Sequence, residues 1–153
     1  MALYPLLFSR RELIEGDGFV AGVSVSGRAL LEDEGESEFW VEGVNPGGLS
    51  AHGASPGEAL AEFCLSLKAV FFDIASGARD FEQFRDEAVR FFDDVSVPAL
   101  RDWEAAVEQV RAGQITADWL AKRPADSRLG IDVVKVNHPT ATDNQLGETA
   151  LAA

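Results

Sequence analysis

Gly22-Val23-Ser24-Val25-Ser26-Gly27 comes close to the Gly-x-Ser-x-Gly elbow that presents a serine nucleophile. The second glycine arrives one residue late, and the segment alternates like a strand instead of turning into a helix. Its general base would have to be His52 or His138, the two histidines of the chain. Ser24 therefore reads as a strand residue. His52 falls between a short strand and a helix cap, where a base or a metal ligand could sit. Zinc would need further His or Cys ligands, and the lone Cys64 belongs to an apolar helical stripe. Gly16-Asp17-Gly18-Phe19-Val20-Ala21 echoes a dinucleotide-binding glycine motif, but it opens a strand and lacks the helix N-terminus that would hold phosphate. Two-metal nuclease chemistry needs several converging carboxylates. Phe19–Val25 carries none, and Asp86, Glu87, Asp93, Asp94 and the Glu32–Glu38 group are spread along the chain as solvated surface. No catalytic, cofactor-binding or metal-ligating residue is assigned, and an enzyme is not expected.

The elements that would position these residues are readable from periodicity. Leu3–Phe8 is a short apolar segment, a strand or a packed terminal arm, and Glu15-Gly16-Asp17-Gly18 signals a turn. Phe19, Ala21, Val23 and Val25 alternate with Val20, Gly22, Ser24 and Ser26, the period of a half-buried strand, which could continue through Arg28–Leu31. Glu32–Glu38 reads as an acidic hairpin loop around Gly35. Phe39–Val44 is the next strand, followed by a Pro46-Gly47-Gly48 turn and a short strand at Leu49–His52. Ser55 can cap a long helix, with Pro56 at its first position and Glu58 completing a capping box. Leu60, Phe63, Cys64, Leu67, Phe71 and Ile74 form its apolar stripe, and Gly77 lies just past its end.

A second helix starts near Asp80, with Phe81, Phe84, Ala88 and Phe91 expected inward. Phe91 and Phe92 are adjacent and point a quarter-turn apart, so one of them is left to stay exposed or meet a partner. A third helix begins around Pro98 and carries Leu100, Trp103, Val107 and Val110. Thr116 could cap a short fourth helix with Trp119 and Leu120, stopped by Pro124. Leu129–Val136 is rich in β-branched residues and reads as a returning strand. The residues from 137 to 153 are polar and aperiodic, a flexible tail.

Charge narrows the partners. The chain has 26 Asp and Glu against 13 Lys and Arg, a formal charge of −13. Such a surface repels phosphate backbones, so nucleic-acid binding is disfavoured; it suits a soluble protein or one that docks on a basic partner. The single Cys64 gives no disulfide framework, and no apolar run is long enough to be a signal or a span. A cytoplasmic protein, without membrane association, is the expectation. Trp40, Trp103 and Trp119 are candidate interface anchors as well as core residues, and Trp40 is kept with Phe91 and Phe92 as a possible interface.

Phe39–Ala75 joins a strand, Pro46-Gly47, Gly53, Ser55 and then Glu58-Ala59 opening a helix. This succession resembles the core of the HicB-like antitoxin family. The resemblance implies a truncated ribonuclease-H-like fold: an α+β protein in which an antiparallel three- to four-stranded sheet is packed by one long helix. It further implies an antitoxin that masks a small basic ribonuclease toxin. Family members often add a DNA-binding segment, but helices two and three here are acidic and promoter binding is not expected. The alternatives are a stand-alone, self-associating HicB-like module and, last, an enzyme on the same scaffold. In the family the fourth strand follows the long helix closely, whereas here further helices intervene before Leu129. The expected organisation is a sheet-plus-helix core over 1–77, an added helical region over 78–124, the returning strand within 125–136 and the tail over 137–153. A homo-oligomer is expected. The terminal Leu151-Ala152-Ala153 resembles the end of the bacterial tag that marks proteins for ClpXP degradation.

Overall fold

The structure is a computed structural model that describes residues 2–116 and 128–137. Its framework is one long hairpin. Strand β1, Ala2–Gly16, pairs antiparallel along its whole length with β2, Phe19–Gly35, in unbroken register from Gly16↔Phe19 to Ala2↔Asp33. Asp17-Gly18 closes the hairpin, and Gly18 takes the left-handed backbone (φ 77°) that such a tight turn requires. The N-terminal strand thus runs well beyond the Leu3–Phe8 segment expected to be ordered. Its second half, Ser9–Gly16, is mostly polar because β1 is an outer strand in contact with solvent.

Strand β3, Glu38–Asn45, follows a turn in which Glu36 and Ser37 both have positive φ. It pairs with the second half of β2, and β4, Ser50–Gly53, pairs with β3. Strand β5, Gly130–Val136, pairs antiparallel with the first half of β2, from Val20↔Val136 to Ser26↔Gly130. Since β1 occupies one edge of β2 throughout, β3 and β5 share the other edge end to end. The returning strand therefore lies in the same sheet, which has five strands. The fold class is α+β, a curled antiparallel sheet against three helices.

Helix α1, Pro56–Gly77, is capped by Ser55, whose Oγ accepts from the Glu58 N–H at 3.1 Å. Gly77 is its last residue, with Ala78 as the cap. Helix α2, Phe81–Asp93, is capped by Asp80, and α3, Val97–Arg111, by Ser96. Helices α1 and α2 pack on one face of the sheet. Phe63, Leu67, Phe71, Phe84 and Phe92 join Phe8, Ile14, Phe19, Val23, Leu31 and Val41 in one core. Its aromatics meet edge-on or tilted, as in Phe8–Phe63 (5.3 Å) and Phe19–Phe84 (5.5 Å).

Helix α3 covers the opposite face. Leu30, Val44, Ala99 and Ala106 are buried there, apart from the main core. The indole N–H of Trp103 donates to the Leu6 carbonyl at 3.1 Å, and the Arg28 guanidinium lies over the same ring at 5.4 Å. Arg28 Nε also donates to the buried Asn45 Oδ1 at 2.9 Å. The deepest α3 residues are the small Ala99 and Ala106, with the expected Leu100 and Val107 only part-buried, because alanines let the helix approach the sheet closely. The helices after α1 thus clasp the sheet from both sides. The proposed fourth helix with Trp119 and Leu120, and the tail from His138 onward, lie outside the described residues. Among the described residues no helix is long and apolar enough to cross a membrane.

Candidate docking surface

The residues of the Pro46-Gly47 … Ala59 motif hold elements together. Pro46 is fully buried. Gly47 donates its N–H to the Asp94 carbonyl at 2.8 Å, and Ser96 N–H donates to Val44 O at 3.0 Å, so the end of β3 is stitched to the α2–α3 connection. A Cβ on Gly47 would lie 2.6 Å from Ser96 N. Gly53 does the same for β4 and α1, because its Cβ would lie 2.6 Å from Ala59 N. Ser55 is the cap, Glu58 supplies the capped N–H, and Ala59 is wholly buried against the core.

The chemistry-bearing residues do not converge. Ser24 and Ser26 sit in the straight body of β2, with Ser26 Oγ bonded to Ser9 Oγ at 3.0 Å, and there is no nucleophile elbow. His52 belongs to β4, which reaches the sheet through β3, while Ser24 pairs with β1 and β5. Burial pushes the Cys64 thiol up from its ordinary value, an effect Arg10 opposes and Glu12 adds to, so a thiolate is disfavoured. Among the described residues no group of three or more His, Cys, Asp or Glu is placed to hold a metal ion.

A different constellation forms on the α3 face, at the end where β3 and β4 pair. The register aligns Leu3, Glu32, Trp40 and His52 in one row across β1, β2, β3 and β4. Trp40 and His52 stack, their centroids 4.8 Å apart and planes 20° from parallel. The Trp40 indole N–H donates to Glu38 Oε1 at 3.1 Å. Glu42, in the next row, lies diagonal to Glu32 on the same face. Glu32 has its pKa raised, first by burial and then by the negative charges of Glu42 and Glu34, a hydrogen bond with Glu42, and the Asp102 carboxylate of α3. The charges acting on Glu32 are those of neighbouring carboxylates, which hold like charges together here.

The raised pKa has a measurable sign. The folded state holds the Glu32 proton more tightly than the unfolded chain does. The associated stability is complete below the ordinary carboxyl value of 4.5 and is lost as pH rises through the higher folded value. Glu32→Gln is therefore expected to be more stable than the wild type at neutral pH, with the difference closing at acid pH. Urea unfolding across a pH series checks this, and a variant less stable than wild type at neutral pH would contradict it.

Beyond His52 the surface continues over the β4 edge into an open groove of about 650 Å³, whose lining includes Glu38 of β3 and Glu58 and Glu62 of α1. A second open groove of about 780 Å³ runs between α1 and α2. Val70, Ile74 and Phe91 are its apolar side chains, beside Glu87, Arg90, Asp93 and Asp94. Phe91 stands edge-on to Phe71 at 5.8 Å and is only part-buried, so it remains open to a partner. Phe92 does not. It is 1% exposed and follows Phe81, Phe84 and Ala88 on the inward face, whereas Phe91, one position earlier, falls on the shoulder.

Sequence reasoning does not single out Glu32 and Glu42. Glu32 reads as part of a solvated loop when β2 is taken to end near Leu31, whereas the strand extends to Gly35. The signal for Glu42 is its alternation with Trp40 and Val44, which puts all three on one face. No family model, no curated protein and no solved structure matches this chain.

Proposed function

We propose that this chain is a non-catalytic protein-binding domain of HicB-like type that docks a basic protein on the Trp40–His52 surface. The observation that carries the reading is the stacked Trp40–His52 pair in the same row as Glu32, whose pKa is raised by burial and then by the neighbouring carboxylates. An aromatic platform flanked by Glu32, Glu38 and Glu42 suits a lysine- or arginine-bearing segment, which would stack on the rings and relieve the crowding. The charge of −13 adds long-range attraction for such a partner and repels nucleic acid. The partner that the resemblance implies is a small basic ribonuclease toxin, masked in the cytoplasm by this chain as its antitoxin.

Affinity capture of the tagged full chain from its native cytoplasm, with mass spectrometry and light scattering of the eluate, tests this. A small basic protein in stoichiometric amount is expected, and it should be lost on Glu42→Lys. Recovery of the chain alone would remove the antitoxin reading. The stand-alone, self-associating module is kept as a second reading because a further apolar surface, on another part of the sheet, is left open.

A further inference from the structure

Strands β1, β4 and β5 each have one edge that no other described strand pairs with. An open edge invites another chain to pair with it, and charged side chains or proline are the usual guards. Strand β1 carries Pro5, Arg10, Arg11, Glu12 and Glu15, and β5 carries Asp132 and Lys135. Strand β4 is Ser50-Ala51-His52-Gly53, with no proline, carboxylate, lysine or arginine. Its register shows which backbone groups are spare. The Gly43 N–H donates to the Leu49 carbonyl at 2.8 Å. Bonded pairs recur at every second residue of an antiparallel ladder, so Val41–Ala51 and Phe39–Gly53 are the next ones. Trp40–His52 and Glu42–Ser50 are the unbonded pairs between them, where side chains come closest, as the stacked Trp40 and His52 rings do. The N–H and C=O of Ser50 and of His52 therefore point away from β3. No other group among the described residues bonds to them.

The groove of about 650 Å³ lies along this edge. All four β4 residues line it, together with Glu58, Glu62 and Ser66, one ridge of α1 at four-residue spacing. Its charged side chains are the carboxylates of Glu38, Glu58 and Glu62, with no lysine or arginine beside them. Glu58 and Glu62 are exposed and take part in no ion pair among the described residues. We propose that the β4 edge takes an extended basic segment of the protein partner, which adds to the five-stranded sheet as a further strand. The inference rests on the reading of a basic partner given above and names how part of that partner is held. Side chains of an added strand alternate between its two faces. Those on the α1 side pass over Glu58 and Glu62, and those on the other side pass beside the Trp40–His52 stack. The spacings agree, because same-face residues of a strand are about 7 Å apart and a four-residue step along a helix is about 6 Å. Charge sets the occupant: lysine or arginine at alternate positions meets the α1 carboxylates, whereas an acidic strand is repelled. The shortness of β4 limits indiscriminate pairing, since four backbone groups alone hold a strand weakly.

Titration of the isotope-labelled full chain with the peptide acetyl-Lys-Val-Lys-Val-Lys-Val-amide, followed by NMR, tests the proposal. The Ser50 and His52 amide protons should gain protection from exchange, while those of Ala51 and Gly53, already bonded to β3, should change little. The same peptide with glutamate for lysine should bind at least about a hundredfold more weakly. Attraction to an acidic surface alone is separated from strand addition by methylating backbone nitrogens. N-methylation of the lysines in one peptide and of the valines in another removes donors from opposite edges of the added strand. One of the two should lose binding by at least about tenfold and the other should keep it. Ser50→Pro removes an outward N–H and blocks the edge, yet leaves the bonds to β3 and the Trp40–His52 stack in place. It should also weaken the lysine peptide by at least about tenfold, with melting curves confirming the fold. Glu58→Gln combined with Glu62→Gln should weaken it by about tenfold. Failure of the lysine peptide to bind would overturn the proposal. So would binding that leaves Ser50 and His52 unprotected, or two methylated peptides that bind alike. A captured partner that is lost on Trp40→Ala but kept on Ser50→Pro would overturn strand addition and leave the docking surface standing. Peptide binding at the edge with no partner captured would support the edge and remove the antitoxin reading.

Discussion

Phe63→Ala is expected to cost about 3–5 kcal/mol of folding stability, the range for deleting a fully buried aromatic ring. At roughly 2–4 °C per kcal/mol for a chain of this size, the melting temperature should fall by roughly 10 °C. The ring is completely buried, stands edge-on to Phe8 of β1, and lies over Gly43 of β3. A Cβ on Gly43 would come within 3.3 Å of the ring, so the glycine leaves the space that Phe63 fills. Truncation removes the side chain that joins α1 to both strands. The fixed backbone of the sheet cannot collapse into the gap, which places the cost toward the upper end. Phe63→Leu retains most of the volume and should lose much less. Urea unfolding followed by circular dichroism measures both, and a loss below about 1 kcal/mol for Phe63→Ala would show that α1 is not anchored at this point.

The second large effect concerns binding. Trp40→Ala should weaken the captured basic partner by at least about 2 kcal/mol, roughly thirtyfold in Kd, while leaving the fold nearly intact. The indole is part-buried and its contacts are at the surface, to His52 and Glu38, so its loss opens no core cavity. Trp40→Phe keeps a ring for stacking on His52 but loses the N–H donated to Glu38, and should fall between the two. Titration calorimetry with melting curves separates the effects. Unchanged affinity in a folded Trp40→Ala protein would move the docking surface elsewhere, with the Phe91 groove the next to test.

How much of this is legible in the sequence depends on whether the signal is local. Ser55, Pro56 and Glu58 announce the start of α1 because a helix cap is written in adjacent residues, and the cap hydrogen bond is where they place it. The alternation from Phe19 to Val25 announces β2 because one of its faces is buried and the other is not. Strand β1 is readable only to Phe8. Beyond it, Ser9–Gly16 carries a single fully buried residue, Ile14, and is a strand because β2 lies beside it, not because of its own composition. Phe91 and Phe92 cannot be ranked from the sequence, since a helix phase error of one residue exchanges their roles. The proposed docking surface is the least legible part. Trp40 can be named as an anchor, but its company of Glu32 and His52 exists only through the β2–β3 and β3–β4 registers. An irregularity between Asp33 and Gly35 shifts the first of these on the turn side of the Glu32–Trp40 row, and no single segment encodes it.

The end-to-end arrangement of β3 and β5 along one edge of β2 also has a mechanical consequence. Strands β1 and β5 flank the first half of β2 and run in the same direction, both toward the Asp17-Gly18 turn. Residue 2 therefore lies at one end of the sheet and residue 137 beyond the other. A force pulling these two points apart acts along the strands and loads the β1–β2 and β2–β5 hydrogen bonds together, in shear, instead of peeling them off one at a time. The ladder resists such a pull as a unit, and the rate at which it yields is set by the unfolding barrier of the whole hairpin.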